Sequence, residues 1–314
     1  MTLPFETVER EERPSEIRGS LKFIYENHSI LATHKRKLIA EVADCQVVLM
    51  EAYGGTKADR HRLHGILDSV THSDPDQHTG HSMKEYLETV VGPGCEEVVG
   101  ISLALGLRGT GKYVRYIDMP GSEEAEQYRA IQKEKYDAVQ RALETEGTET
   151  LIQTIDHYAK SEGLVIRYRD EFVWGQIKQY LVEFSELLEE PDFKMAVIQG
   201  SAHTASSHRA QDEGITYERR FIGADISSAE TGLKHFYPPG AALWRHYALK
   251  PDVPAPRNLL QRDLFIKYVL NRMQQQKEES GKKPIHPEIV YSLVAKYSNQ
   301  YIEESLAEFA ASKS

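Results

Sequence analysis

FKMAVIQGSAHTASSH, residues Phe193–His208, is the stretch whose reading decides the fold. Met195–Ile198 is a short apolar run that empties into Gly200-Ser201-Ala202-His203, and Ala205–Glu213 has a composition that suits a helix. A β-branched run ending in glycine and small residues, then a helix, is how an open α/β sheet delivers a reactive side chain to its edge. An ordinary strand-to-helix turn with a surface histidine would look the same. The rest of the chain has to separate the two readings.

Upstream, Leu21–Glu26 (LKFIYE) reads as a first strand, followed at once by Asn27 and His28. Ile30–Val42 has helical spacing, with apolar positions at Ile30, Leu31, Leu38 and Ile39. Gln46–Met50 (QVVLM) is a continuous apolar run suited to a strand buried on both faces, and it ends in Glu51. Strand, helix and strand in that order make a βαβ unit. Lys112–Ile117 (KYVRYI) alternates like a strand and runs into Asp118, while Tyr217–Ile222 supplies a further strand. Glu96–Leu107, an acidic stretch from Glu123 that Ser122 could cap, and Thr148–Lys160 read as helices. Ile166–Leu188 is the best amphipathic helix, with Val173, Ile177, Tyr180, Leu181 and Phe184 on one face. Arg167, Arg169 and Asp170 fall at its start, where positive charge opposes the helix dipole and invites a functional explanation.

These elements predict an α/β fold: a mostly parallel central sheet flanked by helices, with a helical C-terminal appendage. Residues 1–18 read as an irregular arm, 19–226 as the core domain, and 227–314 as a proline-containing connector with C-terminal helices. Those helices, over Leu259–Gln275 and Pro287–Ala311, would pack on the core or on a second subunit of a homodimer. Residues 54–82 break the pattern, with His61, His64, His72, His78 and His81 in little apolar periodicity. They read as a solvated loop, with a lid or a separate metal site as the sharper alternatives.

Composition narrows the function classes. A net charge of −10 without a sustained basic stripe argues against nucleic acid or an anionic membrane as the main partner. No run approaches the roughly 18 apolar residues of a membrane span. The start of the chain lacks the apolar segment of a secretory signal, and the two cysteines, Cys45 and Cys95, sit beside apolar residues. A cytoplasmic protein with reduced, buried thiols is the expectation.

In a parallel sheet every strand's carboxyl end lies along one edge. That rule puts His28, Glu51, Asp118 and His203 at a shared edge, with Glu26 beside His28. Arg169 joins them if its helix runs antiparallel to the strand that follows. Two imidazoles and a carboxylate, His28, His203 and Glu51, form a donor set that suits a Zn, Mn, Co or Fe dication. Without metal, one histidine could act as general base, oriented by Glu51 or Glu26, while Arg169 stabilises a developing oxyanion. Ser201 lacks the strand–GxSxG–helix setting of a serine nucleophile.

At these residues the chain resembles the superfamily that joins TraB and Tiki proteins, ChaN-like proteins and erythromycin esterases. The pattern is a strand leading to a GxxH-type motif, a strand ending in Glu, a helix with Arg-Asp or Arg-Asn, and a second GxxH strand. Gly200-Ser201-Ala202-His203 matches the second motif, Val47–Glu51 is similar to the glutamate strand, and Arg169-Asp170 resembles the arginine element. Tyr25-Glu26-Asn27-His28 keeps the histidine and a preceding Glu but has Tyr where the family often has Gly. The resemblance covers roughly residues 20–225. It implies hydrolysis of ester or amide bonds in a small molecule or peptide, metal-dependent in some branches, or non-catalytic binding of haem or iron.

Overall fold

A computed structural model describes residues 19–26, 32–51, 57–74, 85, 87–89, 99–117, 123–145, 147–188, 192–200, 202–222, 239–280, 290–291, 293–294 and 296–313. In chain order the elements are β1 (Ser20–Glu26), α1 (Ala32–Glu41), β2 (Val47–Met50), α2 (Lys57–Thr71), α3 (Val99–Gly106) and β3 (Tyr113–Tyr116). There follow α4 (Glu123–Thr145), α5 (Thr148–Leu187), β4 (Lys194–Gly200), α6 (Ala205–Asp212) and β5 (Tyr217–Phe221). Helices α7 (Pro239–Leu249), α8 (Arg257–Ser280) and α9 (Asn299–Lys313) complete the described chain. The fold is the expected α/β class: the described strands form one all-parallel sheet in the order β3-β2-β4-β1-β5.

The continuous apolar runs in the strands follow from burial on both faces. One face of the sheet, through Ile24, Val48, Met50, Ala196 and Ile198, packs on Leu38 and Val42 of the α1 region, Ile66, Leu67 and Val70 of α2, and Ile101 and Ala104 of α3. The other face, through Phe23, Leu49, Met195 and Val197, packs on Val173, Ile177, Leu181 and Phe184 of α5. Burying each such side chain stabilises the fold by about 1.5–3 kcal/mol. No described helix is long and apolar enough to cross a membrane.

The first correction concerns α5. The sequence predicts two helices, Thr148–Lys160 and one starting at Ile166, but the structure has a single helix of 40 residues. Its first half (Leu151, Ile152, Ile155, Ala159) belongs to a separate apolar core shared with α4, α7, α8 and α9, and its second half covers the sheet. The helix is therefore a spine joining the α/β layer to the C-terminal helical part. Arg169 lies mid-helix, so the argument from a positive first turn fails.

The second correction concerns residues 54–82. Lys57–Thr71 is the helix α2, not a loop, while His78 and His81 lie outside the described residues. Strand β3 lies at the edge of the sheet, and α2 covers it. The Tyr116 backbone N–H donates to His64 Nε2 at 2.9 Å, and Arg115 donates to both carboxylate oxygens of Asp68 at 2.6 and 2.9 Å. His64 is buried at 9% exposure and acts as an acceptor for an edge-strand amide. The C-terminal expectation also changes, since the helix placed over Pro287–Ala311 is interrupted at Lys296–Ser298. Ser298 caps the resumed helix through its hydroxyl, 3.1 Å from the Tyr301 N–H.

Replacing His64 by leucine leaves the Tyr116 N–H buried without an acceptor. We expect His64→Leu to lose about 2 kcal/mol of stability in urea denaturation. Unchanged stability would show that the edge is held by the Arg115–Asp68 pair alone.

Candidate active site

Two neighbouring strands, β2 and β4, end where the chain diverges. From β2 it moves outward to β3, and from β4 it moves to β5 on the far side of β1. A crevice at the carboxyl ends of such a pair is the usual ligand position in open α/β sheets. Glu51 follows β2 directly, and its backbone N–H donates to the Ile198 carbonyl at 2.9 Å, so the ladder carries it to the level of Gln199, one residue before Gly200.

The Glu51 carboxylate is the centre of the site, with its side chain only 4% exposed. Oε1 accepts from Arg169 Nη2 at 2.6 Å and lies 3.0 Å from His203 Nε2, while Oε2 accepts from the Gly200 N–H at 2.9 Å. On the far side of the ring, His203 Nδ1 lies 2.6 Å from Asp170 Oδ1. The other Asp170 oxygen accepts from the Ala205 N–H at 3.3 Å, in the first turn of α6. A tight turn, with the His203 N–H donating to the Gly200 carbonyl at 2.9 Å, folds the ring back between the two carboxylates. Tyr25 steadies the platform from β1, since its hydroxyl donates to Ser207 Oγ at 2.8 Å.

The charges follow from this geometry. Burial alone would push the His203 imidazole down, but the Glu51 and Asp170 carboxylates override it and raise the ring to about 10. At neutral pH His203 is an imidazolium that donates from both nitrogens. Burial opposes ionisation of Glu51 too, yet His203, Arg169 and the Gly200 N–H hold it well below the usual carboxylate range. Burial moves Asp170 the other way, upward, against the pull of His203. Arg169 is the open end of the group, with a side chain 32% exposed.

Of the residues expected from sequence, the structure brings together Glu51, Arg169 and His203. Glu26 ends β1 in register with Gly200 and is buried at 6% exposure, so it belongs to the same edge. His28 and Asp118 lie outside the described residues. Asp170 is the functional residue that sequence reasoning left without a role. Its signal was present, because Ile166, Asp170, Val173 and Ile177 share one helical stripe, and a carboxylate on an apolar stripe needs a buried partner.

No family model, no curated protein and no solved structure matches this chain.

Of the expected metal donors, His28, His203 and Glu51, the two described ones are already engaged by other partners. A metal ligand needs a free lone pair, and both ring nitrogens of His203 are directed at carboxylates. Each Glu51 oxygen is engaged by N–H donors from within the site. Among the described residues no three His, Cys, Asp or Glu side chains are arranged to hold a metal ion. Among the described thiols, Cys45 is buried and pushed up to about 12, chiefly by burial, which makes it an inert core residue. Cys95 lies outside the described residues.

Proposed function

We propose that this chain is a hydrolase of ester or amide bonds in a small molecule or peptide, working at the Glu51–Arg169–His203–Asp170 group. The observation that carries the reading is a half-open guanidinium and a buried imidazolium fixed on one carboxylate at a sheet switch point. Attack on an ester or amide carbonyl places negative charge on oxygen, and cations held in advance stabilise that charge without reorganising. Arg169, with a side chain 32% exposed, is the cation of the group nearest solvent. It is the residue that would touch the oxyanion. His203, clamped as a cation, is a positioning group for Glu51 and adds to the positive field. It is not the general base. That role falls to His28, which the sequence puts just beyond Glu26 at the end of β1. The order Glu26, His28, Glu51, Arg169, His203 resembles that of the erythromycin esterase and TraB superfamily, which supports the same reading.

A panel of p-nitrophenyl and thioesters, assayed with and without a chelator, tests the reading. We expect chelator-insensitive turnover that falls about 100-fold in kcat for Arg169→Ala. We expect a comparable loss for His28→Ala, whose bell-shaped pH profile should lose its acid limb. Turnover unaffected by Arg169→Ala, or abolished by the chelator, would overturn the assignment.

A further inference from the structure

A second cavity opens beside the His203 turn, lined from three elements. Arg219 and Phe221 alternate onto it from β5, Thr204 and His208 face it from α6 and its cap, and Ala242, Arg245, His246 and Leu249 line it from one face of α7. Lys250, Pro256 and Leu259 close it, and its volume is about 330 Å³. In a chain with a net charge of −10, this lining holds Arg219, Arg245 and Lys250 with two histidines and no carboxylate. The positive field acts on His208, whose imidazole is pushed down by burial and by Arg219 and Arg245.

Two buried polar atoms in the wall have no hydrogen-bond partner. Thr204 is buried at 5% exposure, and its Oγ1 meets no partner. Arg219 Nε is likewise buried and unpaired, while its guanidinium lies 5.2 Å over the Tyr217 ring. Buried polar groups are ordinarily satisfied, so a donor pair left open in a cationic cavity points to a missing acceptor. The apolar wall of Phe221, Ala242 and Leu249 leaves room for more than an inorganic ion.

We propose that this cavity binds a small organic oxyanion, a phosphate or carboxylate held by Arg219, Arg245 and Thr204, with an apolar body against Phe221 and Leu249. Binding is measurable without turnover, so the site stands or falls apart from the hydrolase reading. The probes are phenyl phosphate, benzoate and neutral benzyl alcohol, titrated calorimetrically into the full chain at fixed ionic strength. We expect one of the two anions to bind at least tenfold more tightly than benzyl alcohol, and the tighter one identifies the head group. Arg219→Gln and Arg245→Gln should each weaken that anion at least tenfold. Arg220→Gln, on the opposite, exposed face of β5, should leave it within twofold. Thr204→Val keeps the side-chain shape and tests the hydroxyl if either arginine variant fails to fold, with a several-fold loss expected. Equal affinity for benzyl alcohol, or an Arg220→Gln loss as large as that of Arg219→Gln, would show surface charge alone and overturn the proposal.

Discussion

Asp170→Ala should cost the fold about 3–5 kcal/mol, measured by urea denaturation at neutral pH. The size follows from what the substitution leaves behind. Asp170 is 1% exposed and His203 6% exposed, and the two are joined at 2.6 Å. Removing one partner of a buried pair strands the other charge where water cannot reach it. The Ala205 N–H loses its acceptor as well. Asp170→Asn keeps an oxygen facing Nδ1 and removes only the charge, so its loss should be clearly smaller. Asp170→Ala within 1 kcal/mol of the natural protein would show that the His203 ring is carried by Glu51 alone.

The same group fixes the pH dependence. His203 is raised in the folded state, so its stabilisation is fully present below its unfolded value near 6.5 and is lost as the pH climbs through about 10. Glu51 is lowered, so its contribution is present above about 4.5 and lost on acidification through its folded value. Asp170 is raised by burial, and it subtracts stability as the pH rises above its unfolded value near 3.8. The His203 contribution should therefore fall steadily from about pH 6.5 to about pH 10, where the alkaline limb ends. Lysines and tyrosines titrate there too, and Asp170→Asn separates them. With one of its two carboxylates neutralised, the His203 ring should be raised less in the folded state, so the limb should still start near pH 6.5 but end earlier, and only in that variant.

Much of this was written in the sequence, and what was not has a physical reason. The strands β1, β2 and β4 were legible because burial on both faces demands uninterrupted apolar runs. Glu51 was legible because it directly follows such a run, and His203 because it closes the short turn after one, and the parallel rule then put them together. Helix α2 does carry Leu63, Ile66, Leu67 and Val70 at helical spacing, but the charged and histidine residues around them mask it, and the role of His64 leaves no trace because its partner is a backbone amide. Asp170 was legible as a carboxylate on the apolar stripe of Ile166, Val173 and Ile177, but its partner, the His203 ring, comes from the turn after a distant strand and shows only in the fold. The single α5 was hidden by Lys160–Val165 (KSEGLV), whose glycine and polar residues read as a break. There tertiary packing overrides propensity.

That hidden glycine carries the last large effect. Helices α5 and α7 cross at Gly163, where an added Cβ would meet Tyr247 Cβ at 2.5 Å, the Trp244 carbonyl oxygen at 2.8 Å and the Ala248 backbone N at 2.9 Å. Two of these are backbone atoms and cannot swing aside, so a methyl group has to push α7 away from α5. Alanine in place of glycine would by itself favour the helix by about 1 kcal/mol. Displacing α7 outweighs this, because overpacking costs about 1–3 kcal/mol and the Ile166, Ala202 and Ala248 contacts open with it. Gly163→Ala should therefore lose about 2 kcal/mol net, and Gly163→Val more. Gly175 lies on the same helix with nothing within 4 Å of its added Cβ, so Gly175→Ala should gain about 0.5–1 kcal/mol. Opposite signs from one substitution on one helix would locate the effect in the α5–α7 crossing. Because α7 carries Arg245 and Leu249, Gly163→Ala should also weaken anion binding in the cavity beside His203, a link that Gly175→Ala should not show. Equal and favourable shifts at both glycines would mean that α7 docks loosely.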